Sequence, residues 1–111
     1  MVQEKIFCFS KEGEDIYLFT LCNTQGTKII ISNYGAIILS FKIKQANGID
    51  NDIVLGFENI EDYFSPEYLH QYCYFGAACG RYANRIKNGQ LIIDGKKIQL
   101  TQNIGTHQLH G

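Results

Sequence analysis

The chain has 111 residues, of which 45% are hydrophobic and 19% charged, with one proline and a formal net charge of −1 from 10 basic and 11 acidic side chains. That length allows one modest domain, residues 1–111, burying roughly two thirds of the surface its unfolded form would expose, and the composition argues against disorder. Charge this close to neutral and spread without blocks provides no electrostatic footprint for nucleic acid or an anionic membrane surface, so neither is expected as a partner.

Short apolar or alternating segments separated by turn signals run along the chain, with no amphipathic stretch long enough for a confident helix. Residues 6–9 and 17–22 read as strands joined by a turn over 11–15. Asn23-Thr24-Gln25-Gly26 then makes a hairpin loop into a strand at 28–32. Asn33-Tyr34-Gly35 breaks the backbone before a longer, isoleucine-rich strand at 36–44. Asn47-Gly48 is the next turn, and 52–55 the next strand. Between 58 and 69 the periodicity is lost around the only proline, which predicts an irregular loop with one helical turn near 60–63. Residues 90–93 and 96–100 flank Asp94-Gly95, the strongest hairpin signal in the chain, because a two-residue type I′ loop needs positive φ at both positions. Leu91, Ile93, Ile98 and Leu100 form one apolar face of that hairpin and are expected to meet a core. Turns this frequent predict an all-β sandwich or an open barrel-like sheet.

The longest apolar-leaning run, 36–41, is far too short to cross a bilayer. No charged start with an apolar run and a small-residue cleavage site opens the sequence, so a cytoplasmic location is expected. The cysteines at 8, 22, 73 and 79 show no CxxC pair and no zinc-finger spacing with the histidines at 70, 107 and 110. They are expected to be reduced and mostly buried, since a free cysteine packs like a small hydrophobe.

No Ser-His-Asp spacing, phosphate-cradling glycine loop or HExxH pair offers a start for a hydrolase or nucleotide reading. The polar cluster of the last third is different. Asn84 carries a donor and an acceptor and Arg85 a rigid fork of donors, which together suit the vicinal hydroxyls and ring oxygen of a sugar. His110 is an imidazole able to donate to or accept from a sugar oxygen and to move a proton near neutrality. By composition alone, an ordinary surface arginine beside an asparagine turn and an incidental histidine account for the same residues, and His70 and His107 have no more in their favour.

Several segments in order resemble the aldose 1-epimerases (galactose mutarotases). They are Asn33-Tyr34-Gly35-Ala36, Asp52-Ile53-Val54-Leu55-Gly56-Phe57, Phe75-Gly76-Ala77, Gly80-Arg81-Tyr82-Ala83-Asn84-Arg85-Ile86 and Leu109-His110-Gly111. Cys79 departs mildly from the pattern, standing where a branched aliphatic residue is usual. The resemblance implies the N-terminal part of a galactose mutarotase-like antiparallel β-sandwich (a supersandwich), here truncated. It implies that Asn84 and Arg85 bind sugar hydroxyls, that His110 is the first of two active-site histidines beside an aldohexose ring, and that Arg81 and Asn103 are structural. Arg85 and His110 should share one concave face.

In the family the second histidine, a sugar-binding aspartate and the glutamate general base come from regions well beyond the first hundred or so residues. The implied reaction is anomer interconversion of hexoses such as galactose and glucose, with no metal or organic cofactor because proton transfer at a hemiacetal needs neither redox carrier nor Lewis acid. The 111 residues alone are then expected to be inactive and to self-associate through exposed strand edges. A non-catalytic carbohydrate-binding relative and an inactive structural fragment are the alternatives.

Overall fold

The computed structural model describes residues 2–11, 13–71 and 73–110, with the side chains of residues 2–5 and 7–11 outside the description. The chain is all-β apart from two short 3-10 turns and one helical turn, and it divides into two compact units, Met1–Ala78 and Cys79–Gly111.

The first unit is an antiparallel meander in which β1 (Val2–Lys11), β2 (Glu14–Cys22), β3 (Lys28–Ser32), β4 (Ile38–Lys44) and β5 (Asp50–Asp52) lie side by side in chain order. β1 is longer than its apolar alternation at 6–9, pairing from Val2 with Leu21 to Lys11 with Glu14 across two register shifts. An edge strand is held by its ladder on one side and has less need of a burial pattern. β4 starts two residues later than expected. Gly35 (φ 59) and Ala36 (φ 46) both turn left-handed, and Ile37 N–H donates to Tyr34 C=O at 3.2 Å, so Ala36 belongs to the β3–β4 turn.

β5 also ends earlier than the expected strand at 52–55. The Asp52 carboxylate accepts from Phe41 N–H at 3.0 Å, Val54 N–H at 3.1 Å and the Ser40 hydroxyl, so its side chain takes up the amide that would have continued the ladder. Burial pushes the Asp52 carboxyl up. The Ser40 hydroxyl, the two amides and the Lys42 charge together outweigh that and hold it below the ordinary aspartate range.

The helical turn expected near 60–63 is a 3-10 turn at Ile60–Phe64, followed by an unexpected helix α1 at Pro66–Gln71. Ser65 caps α1, its Oγ accepting from Tyr68 N–H at 3.3 Å, and Pro66 sits where a missing N–H costs nothing. This segment covers the sheet. Ile16, Ile37, Leu39, Ile60 and Tyr63 are buried together, with Phe57, Phe64, Tyr68 and Phe75 packed around them. Tyr63 is fully buried yet satisfied, since its hydroxyl accepts from Phe57 N–H at 3.1 Å, and it meets Phe57 and Tyr68 edge-on at 5.2 and 5.3 Å. Burying such a ring stabilises the unit by about 1.5–3 kcal/mol.

In the second unit β6 (Arg85–Ile86) pairs antiparallel with β9 (Gln108–Leu109), and β7 (Gln90–Ile93) pairs with β8 (Lys96–Gln99). The β7–β8 turn is the expected type I′ loop, with Asp94 at φ 49 and Gly95 at φ 73. The expected apolar face of the hairpin is only partly covered. Leu91 and Leu100 are half-buried, whereas Ile93 and Ile98 are 53% and 36% exposed, because a ladder of two short strands buries neither of its faces without another layer over it.

The thiols also differ from expectation. Cys22 is half-buried, but Cys73 and Cys79 are exposed in irregular segments, all three being free; the side chain of Cys8 lies outside the described residues. Among the described residues no helix is long and apolar enough to cross a membrane.

Candidate functional site

Asn84, Arg85 and His110 come together where β6 meets β9. The pairing of Arg85 with Leu109 is framed by His110 N–H donating to Asn84 C=O at 3.1 Å, which makes Arg85–Leu109 a non-hydrogen-bonded pair. Asn84 (φ 72) and His110 (φ 68) are both left-handed, a conformation in which asparagine and histidine are enriched among non-glycine residues. The Asn84 side chain supports its own bend, its Oδ1 accepting from Arg85 N–H at 2.9 Å. That bond leaves the amide Nδ2 as the group Asn84 can turn toward a ligand.

The imidazole of His110 is oriented by the same residue, for Asn84 N–H donates to its Nδ1 at 3.1 Å. An Nδ1 that accepts carries no proton in the neutral ring, so the proton resides on Nε2. His110 is half-buried while Asn84 and Arg85 are exposed, which combines a fixed ring with two side chains open to solvent. Arg85 occupies a strand position directly after the bend, and its donor fork is an apt partner for neighbouring oxygens.

Around this centre lies a tightly bonded loop. Asn103 Nδ2 donates to Leu109 C=O at 2.8 Å, and Leu109 N–H donates to Asn103 Oδ1 at 2.6 Å, in keeping with a structural Asn103. His107 is more than the incidental residue that sequence reasoning allowed. It is half-buried, its Nδ1 accepts from Asn88 N–H at 3.0 Å, and its backbone bridges Ile104. No sequence signal marks that role, because the partner is nineteen residues away in the chain. His70 is exposed in the last turn of α1, in the first unit. Arg81 is exposed. Gly111, the last residue of the Leu109-His110-Gly111 motif, lies outside the described residues.

The profile of the aldose 1-epimerase family matches residues 17–111. The chain belongs to the aldose 1-epimerase family. Among its relatives, the galactose mutarotase of Sus scrofa is 39% identical over 84 residues, 76% of this chain and 23% of the relative. The aldose 1-epimerase of Escherichia coli K12 is 37% identical over 101 residues, 90% of this chain and 28% of the relative. The fold agrees: the crystal structure of an aldose epimerase homologue from C. elegans superposes with a TM-score of 0.65 at 34% identity, covering 84% of this chain and 27% of that one. The chain thus spans about a quarter of the length of the curated relatives it matches, and it is an all-β portion of the epimerase fold.

Proposed function

We propose that this chain is the N-terminal portion of a single-domain aldose 1-epimerase that interconverts the α and β anomers of aldohexoses such as galactose and glucose, and that Asn84, Arg85 and His110 form one wall of its monosaccharide site. The observation that carries the reading is the pair of bonds between Asn84 and His110, which joins two of the family's motifs at one bend, with Arg85 the next residue in the chain, and makes the imidazole Nδ1 an acceptor, so that in the neutral ring the proton is on Nε2.

Anomer exchange requires the C1 hydroxyl to lose its proton to a base while the ring oxygen gains one from an acid. The C1–ring oxygen bond then breaks to the open aldehyde, which closes again on the other face. In this reading Arg85 and Asn84 hold adjacent hydroxyls, and His110 presents its Nε2–H to a sugar oxygen beside the reacting centre. The glutamate base and second histidine that the family resemblance implies lie outside these 111 residues, so the chain alone is expected to bind weakly and catalyse little. The reading also includes a cytoplasmic enzyme of hexose metabolism with no nucleic-acid or membrane partner, whose 111-residue portion self-associates through its sheet edges, β1 and β5.

The test is sugar binding by the full-length protein, followed through the imidazole resonances of His110 during titration with galactose and glucose, beside polarimetry of fresh α-anomers. Shifts at His110 with accelerated mutarotation are expected. Shifts without acceleration would identify a non-catalytic carbohydrate-binding relative, and neither would overturn the sugar site.

A further inference from the structure

We infer that Asn103 is a positioning residue for the His110 imidazole, acting as a one-residue strand on the side of β9 that β6 leaves open. The inference rests on the reading of His110 as the sugar-facing ring. Because Arg85–Leu109 is a non-hydrogen-bonded pair, the N–H and C=O of Leu109 point away from β6. Leu109 is buried at 6% exposure, so both groups need partners, and the Asn103 amide supplies a donor to one and an acceptor to the other, at 2.8 and 2.6 Å. An aspartate would lose the donor, and a glutamine, longer by a methylene, would displace the amide.

Asn103 is itself anchored. Its N–H donates to His107 C=O at 3.2 Å, His107 is held by Asn88 N–H at its ring, and the neighbouring Gln102 donates from Nε2 to Asn88 C=O at 3.1 Å. Leu109 is therefore clamped from one side by a braced loop, and the next residue, His110, is held from the other side by Asn84. The bond from Asn84 N–H to His110 Nδ1 needs both constraints at once. With one released, the left-handed His110 can rotate away, and the ring loses the contact that keeps its proton on Nε2.

The experiment uses ¹⁵N-labelled full-length protein, with imidazole ¹⁵N shifts reporting the tautomer of each histidine and polarimetry giving kcat and KM. In the unmodified protein both His107 and His110 are expected as the Nε2–H tautomer. Asn103→Ala should reduce the Nε2–H preference at His110 alone toward that of a free side chain and lower kcat about 100-fold with KM changed only a few-fold, since small misplacements of a reacting group cost on this scale. His107 remains as the internal reporter of an intact loop. Gln102→Ala, which removes a bond of the same loop without touching Leu109, should leave the His110 tautomer unchanged.

If Asn103→Ala disrupts His107 as well, Asn103→Asp decides, because it retains the acceptor for Leu109 N–H: a weakened His110 preference is expected. A tautomer population at His110 unchanged from the unmodified protein, in the variant with His107 intact, overturns the inference. Galactose that leaves the His110 shifts of the unmodified protein unmoved would instead sink the sugar reading, and the tautomer result alone would then decide the role of Asn103.

Discussion

Asn84 and His110 hold each other twice: the His110 amide donates to the Asn84 carbonyl, and the Asn84 amide donates to His110 Nδ1, both at 3.1 Å. Backbone and side chain of one residue are thus fastened to the backbone of another that sits 26 positions earlier. In the proposed site Asn84 has two separable duties, a left-handed backbone that orients the imidazole and a side chain that would address sugar.

Replacements at Asn84 separate those duties. Asn84→Gly keeps the left-handed φ at no steric cost, so stability should change by less than about 1 kcal/mol while sugar affinity falls. Asn84→Ala loses the same amide and adds about 1 kcal/mol of backbone strain. Urea unfolding and galactose titration of the two variants check this; equal sugar affinity in Asn84→Gly and the unmodified protein would place the amide outside the site.

If the proposed activity holds, Arg85→Lys should lower catalytic efficiency about 10- to 100-fold in the full-length protein. Lysine retains the charge but not the planar fork that serves two oxygens, and a charged hydrogen bond is worth about 1.5–3 kcal/mol. Coupled-assay kinetics with unchanged turnover and KM would remove Arg85 from the site.

Polarimetry on the isolated 111 residues should show little acceleration of α-glucose or α-galactose toward equilibrium. Each acid or base group that the family resemblance places beyond these residues would account for about 10²- to 10⁴-fold. Acceleration comparable to the full-length protein would mean that His110 and its neighbours suffice.

Gly76→Ala should destabilise the first unit by about 2 kcal/mol or more. Gly76 has φ +66, and a Cβ there would run into the carbonyl oxygen of Ile38, whose N–H donates to Gly76 C=O at 2.9 Å. Denaturant unfolding would show it, and an unchanged midpoint would mean that the approach of this segment to β4 is looser than described.

The Asp52 carboxyl is held below the ordinary aspartate range, so its contribution to stability is present above the unfolded-state value of about 3.9 and is lost as pH falls through the lower folded value. Asp52→Asn keeps an acceptor for the Phe41 and Val54 amides but does not titrate. Its stability should depend less steeply on pH below about 4 than that of the unmodified protein. Parallel stability curves for the two proteins across that range would contradict the assignment.

The sequence by itself determined what is set by neighbouring residues. The Asp94-Gly95 turn has its positive φ pair because local sterics suffice to choose it, β3 runs over the predicted residues, and the family's motifs at 80–86 and 109–111 mark Asn84, Arg85 and His110 as candidates without reference to contacts. Tertiary structure decided what depends on residues distant in the chain. β5 stops at Asp52 because its side chain reaches back to Ser40 and Phe41 on β4. Ile93 and Ile98 alternate as if for a core, but burial depends on which layer lies over them, and alternation reports only that a layer is wanted. The ring of His107 finds Asn88, and the amide of Asn103 finds Leu109, only after the chain has folded back. No pattern in one segment encodes those bonds, since a side-chain hydrogen bond is chosen by which unsatisfied backbone group folding delivers to it.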